Sequence, residues 1–331
     1  MSNVLVVGGS GLLGFHTIVE LVERGHSVTS LSLPPVATDV TFPEGVQALW
    51  ADLGEMTDDE LTTLLTGVDA VVYAAGADER TIPQAPAARF FHEANVRPTQ
   101  RLARLARQAG VTRFVLFGSY TAEFAERWPE LGYREHNGYP RTRLAQEEVA
   151  YLEGDGAMDV MVLRLPYIFG IVGQRRPLWQ FVLDRVQAPG PVAVLGGSTS
   201  AVTVRQVAQA AAGALEHGTH GARYAINAYD LTYVELYRLA CEAIGRDPQD
   251  VVAVPLDVML PHAEQADAAS AAAGVEHGIH VVDAFRFQDR AAVSDHEPTA
   301  SVLGMEPDDV VEAVRETFRW CVEHPVPAPI S

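Results

Sequence analysis

The chain opens with an unbroken apolar run, Val4-Leu5-Val6-Val7, which predicts a strand buried on both faces of a parallel sheet. The period then changes. From Phe15 to Gly25, Ile18, Leu21 and Val22 form one apolar stripe at helical spacing, and Gly25 is a natural stop. Ser27 to Leu33 alternates polar and apolar residues as a second strand, and Val46 to Ala51 predicts a third. Asp58 to Leu65 predicts a short helix. Ala70-Val71-Val72-Tyr73-Ala74-Ala75-Gly76 predicts a fourth buried strand running out into small residues. Pro98 suits the first turn of a helix that turns Leu102, Leu105 and Ala106 inward, turns Arg101, Arg104 and Arg107 to solvent, and ends at Gly110. Arg113 to Phe117 is the fifth strand. Gly118-Ser119-Tyr120-Thr121 follows, then a stretch rich in charge and aromatics that reads as a loop up to Gly138, and a helix opens at Tyr139 and runs through Ala145, Val149 and Leu152. Val160 to Leu165 is the sixth strand.

This alternation predicts an α/β fold, a doubly wound parallel sheet of the Rossmann type. Beyond Gly170 the pattern loosens. Helices are expected at Trp179 to Val186, Gln206 to Leu215, Thr232 to Gly245 and Asp308 to His324, with strands at Val202 to Val204 and Ala222 to Asn227. Ala263 to Ala273 is a helix or a mobile segment. The expected division is a nucleotide-binding domain of residues 1–165 and 201–229, with a smaller C-terminal α/β substrate domain of residues 166–200 and 230–331.

The first strand-to-helix turn carries the strongest chemical signal. Gly8, Gly11 and Gly14 are spaced for a tight turn, a close backbone approach to a phosphate, and packing of the helix on the strand. With Ser10, Leu12 and Leu13 between them, they present helix N-terminal amides to an anion. A dinucleotide is the expected ligand. The second strand has neither the carboxylate that holds an NAD ribose nor a basic clamp for an NADP phosphate. Ser32 stands at its end, and no arginine occurs between Arg24 and Arg80. Ser30 or Ser32 is left to bond the ribose, and NAD and NADP remain open. Asp52 after the third strand reads either as a partner of the adenine amino group or as a helix cap. Ala74, Ala75 and Gly76 are small enough to let the backbone approach a cofactor.

Composition narrows the partners. The formal net charge of the 331-residue chain is −19, which repels phosphate backbones and argues against nucleic acid. There is no lysine; all 24 basic residues are arginine. Cys241 and Cys321 make no metal-ligand or disulfide pattern, so no metal is expected and a reducing, cytoplasmic location is. No apolar run approaches the ~20 residues needed to span a bilayer, and no basic segment precedes Val4, so neither a membrane span nor a secretion signal is expected.

Taken together, these motifs resemble the extended short-chain dehydrogenases/reductases, the NAD-dependent epimerase/dehydratase family. The glycine turn matches its fingerprint. Asp52-Leu53, Ala74-Ala75-Gly76, Asn95-Val96, Tyr139-x-x-x-Arg143, Leu163-Arg164 to Gly170, Val202 to Ala208 and Leu303-Gly304-Met305 match further landmarks. The resemblance implies that Leu53, Asn95, Pro166 and Ile168 belong with the glycine turn around an NAD or NADP cofactor. It also implies a homodimer formed through the helices at 98–109 and 140–153.

The residue types account for the expected chemistry. Oxidising an alcohol requires a group that takes the hydroxyl proton, and a phenol can do so if its pKa of ~10 is lowered. A cation four residues on, one helical turn away, favours the phenolate. Tyr139 and Arg143 have that spacing, although the same pattern suits an ordinary helix-start aromatic beside a surface arginine.

The chain departs from the family pattern in several places. Arg143 replaces the family's lysine. Tyr120 aligns with the hydroxyl that orients substrate, and Ser119 and Thr121 beside it could also serve. Thr121-Ala122 replaces the acidic pair of the 4,6-dehydratases, which disfavours dehydration. Tyr167 stands where sugar-nucleotide enzymes carry an asparagine, and the diphosphate-binding arginine near Thr199 is absent. Arg175, Arg176 or Arg205 could substitute, or be solvated. The expected function is an NAD(P)-dependent oxidoreductase or epimerase acting on a hydroxyl or carbonyl of a small, sugar-like molecule. Its alternatives are a sugar-nucleotide epimerase with altered contacts and a catalytically impaired dinucleotide-binding sensor.

Overall fold

Adjacent residues of the opening run face opposite ways, so one strand serves two cores. In β1 (Asn3–Val7), Val4 and Val6 pack toward α1 (Leu12–Glu23), while Leu5 and Val7 pack against the opposite helical layer. The computed structural model describes residues 1–37, 39–297 and 299–325. The chain continues through β2 (Ser27–Ser32), β3 (Gln47–Trp50), α2 (Asp58–Leu65), β4 (Ala70–Tyr73), α3 (Ala87–Phe91), α4 (Arg97–Gln108) and β5 (Arg113–Ser119). Then come α5 (Tyr120–Arg127), α6 (Tyr133–His136), α7 (Gly138–Gly154), β6 (Asp159–Leu165), β7 (Tyr167–Phe169), α8 (Gln180–Gln187), β8 (Val192–Val194), β9 (Ser198–Thr203), α9 (Val204–His217) and β10 (Arg223–Ala225).

The main sheet is parallel, with strand order β10-β6-β5-β4-β1-β2-β3. The order reverses beside β1, so the carboxyl ends of β1 and β4 flank the crevice where such sheets bind ligands. Helices α1 and α9 cover one face; α2, α4 and α7 cover the other.

The rest of the chain supplies β11 (Tyr229–Thr232), α10 (Tyr233–Ala243), β12 (Val251–Ala253), α11 (Leu256–Ala272), α12 (Val281–Gln288), β13 (Ala291–Ala292), α13 (Thr299–Leu303) and α14 (Val310–Glu323). A second sheet, β11-β9-β13 with β7 on β9, stands over the carboxyl ends of the main one. Its core joins Trp179, Leu236 and Phe318.

Three local expectations change. The helix expected to begin near Pro98 begins at Ala87 and passes through a π turn at His92–Val96. Proline has no N–H to donate and its ring crowds the preceding turn, and the wider turn relieves both. The stretch expected as a loop before Gly138 is largely helical, because Tyr120, Phe124 and Tyr133 bury themselves against Phe287. Residues 299–305, expected with the substrate domain, pack on the main sheet: Ala300, Leu303 and Met305 join the α1/α9 core, and a Cβ on Gly213 would overlap the Leu303 carbonyl. The alanine-rich segment at 263–273 is helical, lying in α11 up to Ala272 with Ala273 as its C-cap.

Candidate active site

A cavity of about 530 Å³ lies between the two sheets. One wall is the glycine turn. Gly8 has φ +86°, a left-handed conformation open to glycine, and its N–H donates to Leu31 O at 2.8 Å. A Cβ on Gly14 would overlap the Gly8 carbonyl, so this glycine seats α1 on the turn itself. A Cβ on Gly11 would meet only the Gly8 carbonyl, at 3.2 Å. The turn is therefore open at Gly11, where the N-terminal amides of Leu12, Leu13 and Gly14 have no acceptor within the helix. Gly11, Leu12 and Leu13 line the cavity. This donor set and open cradle fit the pyrophosphate of a dinucleotide.

Ser32 lies behind that turn. Its Oγ accepts from the Ser10 N–H at 2.9 Å and lies 3.1 Å from Ser30 Oγ, with both serines fully buried. The two hydroxyls expected at a ribose thus brace the glycine turn. Asp52 is exposed, and its Oδ1 accepts from the Gly54 N–H at 2.7 Å, closing a turn. It does not cap α2, whose cap is Thr57 in a reciprocal bond with Glu60. Leu53 packs against the α2/α4 layer. Ala74, Ala75 and Gly76 line the cavity, as do Pro166 and Ile168 after β6. Asn95 does not reach the cavity. It is fully buried, its Oδ1 accepts from Ala77 N at 2.8 Å, and its Nδ2 donates to Ala77 O at 2.9 Å, which holds the β4 loop in place.

Tyr139 enters the opposite wall from the first turn of α7. Its backbone N–H donates to Gly278 O at 2.8 Å, and its ring packs edge-on against Phe91 at 5.2 Å. A Cβ on Gly278 would press on both the Phe91 ring and Tyr139, so only a glycine lets this distant segment cover the site. Asn137 ties the same segment down: it accepts from His280 N at 2.8 Å and donates to Asp283 at 3.0 Å.

The guanidinium of Arg143 lies 5.6 Å from the Tyr139 ring centre, as the four-residue spacing leads one to expect. Burial pushes the phenol up to about 12, while Arg143 and the Ser119 hydroxyl pull it down. The cation acts in the expected direction, but burial outweighs it.

Arg143 is itself buried. Nη1 donates to Gln146 Oε1 at 2.6 Å and Nη2 to the Phe117 carbonyl at 2.7 Å, which leaves the buried Nε with no partner. Gln146 is held in turn by its bond to Thr99 at 2.8 Å. Ser119 Oγ lies 2.9 Å from Thr121 Oγ1, and both hydroxyls line the cavity. Tyr120 also lines it, but its ring is packed among Phe124, Tyr167 and Phe287, and burial raises its pKa well above the usual value.

Sequence reasoning missed most of the aromatic wall. Tyr133, Trp179, Tyr233 and Phe287 join Tyr167, the one member singled out from the sequence, so that five separate elements or loops line the cavity with aromatic side chains. Glu79, also overlooked, faces it from the β4 loop, and burial raises its pKa. The substitute arginines fall elsewhere. Arg176 is held by Gln180 and the His324 carbonyl, Arg205 pairs with Glu306 at the surface, and Arg175 reaches Ser10 in the glycine turn. None of the three lines the cavity. Among the described residues, no helix is long and apolar enough to cross a membrane, and no group of three or more His, Cys, Asp or Glu could hold a metal ion.

A Rossmann sheet, an open glycine turn and a tyrosine–arginine pair facing it across one cavity define a nicotinamide-dinucleotide enzyme fold. The chain belongs to the NAD dependent epimerase/dehydratase family, whose model matches residues 4–227, and a nicotinamide dinucleotide is its cofactor. It is 33% identical over 218 residues to a 3-beta-hydroxysteroid dehydrogenase of Mycolicibacterium neoaurum, a match covering 60% of this chain and 55% of that protein. It is 32% identical over 133 residues to a UDP-glucose 4-epimerase of Klebsiella pneumoniae, covering 36% of this chain and 90% of the relative. The match thus spans about half the length of the steroid enzyme. Among solved structures, that of gox2253 superposes with a TM-score of 0.78 at 22% identity, covering 98% of this chain and 99% of that one, and shares the fold.

Proposed function

We propose that the protein is an NAD(P)-dependent dehydrogenase or ketoreductase. On this reading it acts on a hydroxyl or carbonyl carried by an apolar ring system, with Tyr139 as acid/base. The observation that carries this reading is the composition of the cavity. Tyr139 and Ser119 line it together with the aromatic side chains of Tyr133, Tyr167, Trp179, Tyr233 and Phe287. The arginines lining it are already engaged: Arg143 on Gln146 and Phe117, and Arg80 on Asp78. A nucleoside diphosphate would find no uncommitted cation there, whereas an apolar ring would find stacking surfaces. The volume suits a small molecule, for which sites run to about 300–1,000 Å³. The likeness to the steroid dehydrogenase points the same way.

The dinucleotide, when bound, accepts or supplies the hydride. The remaining steps belong to the chain. Leu12 and Leu13 offer backbone amides to the pyrophosphate, while the Gly11 N–H is spent on the Gly8 carbonyl at 2.9 Å, and Ala74 to Gly76 flank its path. Ser119, with Thr121 hydrogen-bonded behind it, donates to the substrate oxygen. In reduction, the Tyr139 O–H gives its proton to the carbonyl oxygen; in oxidation, the phenolate takes the hydroxyl proton. Arg143 stabilises that phenolate. With the phenol at about 12, Tyr139 is protonated at neutral pH and already in the form that reduction uses.

A second reading, sugar-nucleotide epimerisation, is favoured by the UDP-glucose 4-epimerase relative; the engaged arginines weigh against it. Assays with NAD and NADP against hydroxysteroids, cyclic ketones and UDP-glucose separate the two. Turnover of UDP-glucose alone would overturn the proposal. Tyr139→Phe is expected to keep dinucleotide affinity and lose roughly a hundredfold or more in turnover. Wild-type turnover in that variant would remove Tyr139 from the chemistry. A dinucleotide-binding protein without turnover on any of these classes would favour the impaired sensor.

A further inference from the structure

The polar groups around the glycine turn include one from far along the sequence. Residues 171–175, between β7 and α8, cross over the turn. His16 Nε2 on α1 lies 2.9 Å from Ile171 O. Val172 is buried, Gly173 takes φ +51°, and Arg175 N donates to Val172 O at 3.1 Å, closing a tight turn. Gln174 N donates to Asp39 Oδ2 at 3.0 Å, pinning the strap to the segment after β2, and a Cβ on Gly173 would overlap the Asp39 carbonyl. At its end, Arg175 Nη2 donates to Ser10 Oγ at 3.3 Å.

We propose that Arg175 is the phosphate-gripping cation of the dinucleotide site, carried to the glycine turn by this strap. The inference rests on the dinucleotide lying at that turn. Three observations support it. Among the described residues Arg175 forms no ion pair, although the chain has 43 acidic residues against 24 basic ones, so its charge is uncommitted. The guanidinium is exposed beside an anion cradle built only of uncharged backbone amides and hydroxyls. In a chain of net charge −19, an anionic ligand is repelled unless a local cation offsets the field. The fork geometry of arginine suits a phosphate from either place in the molecule, the pyrophosphate or the 2′-phosphate of NADP.

The test is calorimetric titration of the purified protein, its Arg175→Ala variant and its Arg175→Lys variant with NAD, NADP, ADP-ribose and adenosine. The exposed position makes both variants expected to fold. Arg175→Ala should weaken phosphate-bearing ligands by about tenfold, the scale of one charge-assisted bond, and leave adenosine unchanged. Arg175→Lys should recover part of the loss. Equal losses for NAD, NADP and ADP-ribose place the contact on the pyrophosphate; a loss confined to NADP places it on the 2′-phosphate. Unchanged affinity for every ligand in Arg175→Ala, with the wild type binding normally, overturns the proposal and leaves the cofactor site standing. A wild-type protein that binds none of the dinucleotides overturns the cofactor site itself, and this proposal with it.

Discussion

Replacing Arg143 with glutamine would remove the positive charge held over the Tyr139 ring while leaving a polar side chain near Gln146. Guanidinium and ring centre are 5.6 Å apart, and both residues are buried. At an effective dielectric of ~20, a full charge at that distance is worth about 3 kcal/mol, or about two pKa units. Removing the cation raises the phenol further, from a position that burial already holds near 12. Oxidation uses the phenolate, whose fraction below the pKa falls tenfold per unit. At any fixed pH from neutral to moderately alkaline, alcohol oxidation by Arg143→Gln should therefore be about a hundredfold slower, with its rising pH limb displaced to higher pH. Carbonyl reduction uses the neutral phenol, which is not depleted, so it should fall far less. Arg143→Lys keeps the charge and should keep most of the oxidation rate. The assay is nicotinamide absorbance in both directions across pH. Dinucleotide affinity and thermal unfolding serve as controls, because Arg143 also satisfies the Phe117 carbonyl. Equal slowing in both directions, or an unmoved oxidation limb, would refute the electrostatic role.

The two glycines of the turn should separate binding from folding. Gly11→Val meets the Gly8 carbonyl at 3.2 Å, a tight contact but milder than the one at Gly14, and should keep most of its stability while losing dinucleotide affinity; Gly14→Ala must push against the Gly8 carbonyl and should lower stability by about 1–3 kcal/mol, read by denaturant unfolding. Glu147, 1% exposed, accepts from Arg164 at 3.0 and 2.7 Å and from Arg223 at 3.1 Å, so it ties α7 to β6 and β10. Glu147→Ala should cost about 2–3 kcal/mol, because Arg164 loses its two bonds to Glu147 but keeps Glu126 at 2.8 Å, and an unchanged melting temperature would contradict that reading.

What the sequence determined by itself was local. A run of apolar residues buries a strand from both sides, a glycine triplet turns it, and a four-residue spacing stacks Arg143 on Tyr139. Each follows from backbone geometry within a turn or two, and each was legible without the fold. Side chains whose partners lie far along the chain were not. Asn95 and Ser32 carry the residue types of cofactor contacts, yet their polar atoms are spent on Ala77 and on Ser10. The burial that raises the Tyr139 phenol depends on Gly278 and the segment held by Asn137, more than 130 positions away. Arg175 meets Ser10 across 165 positions, and the aromatic wall is gathered from five separate elements or loops. Periodicity reports which face of an element is buried but not which other element covers it. The covering element sets desolvation, hydrogen-bond partners and cavity lining, so the choice of substrate was left to the tertiary structure.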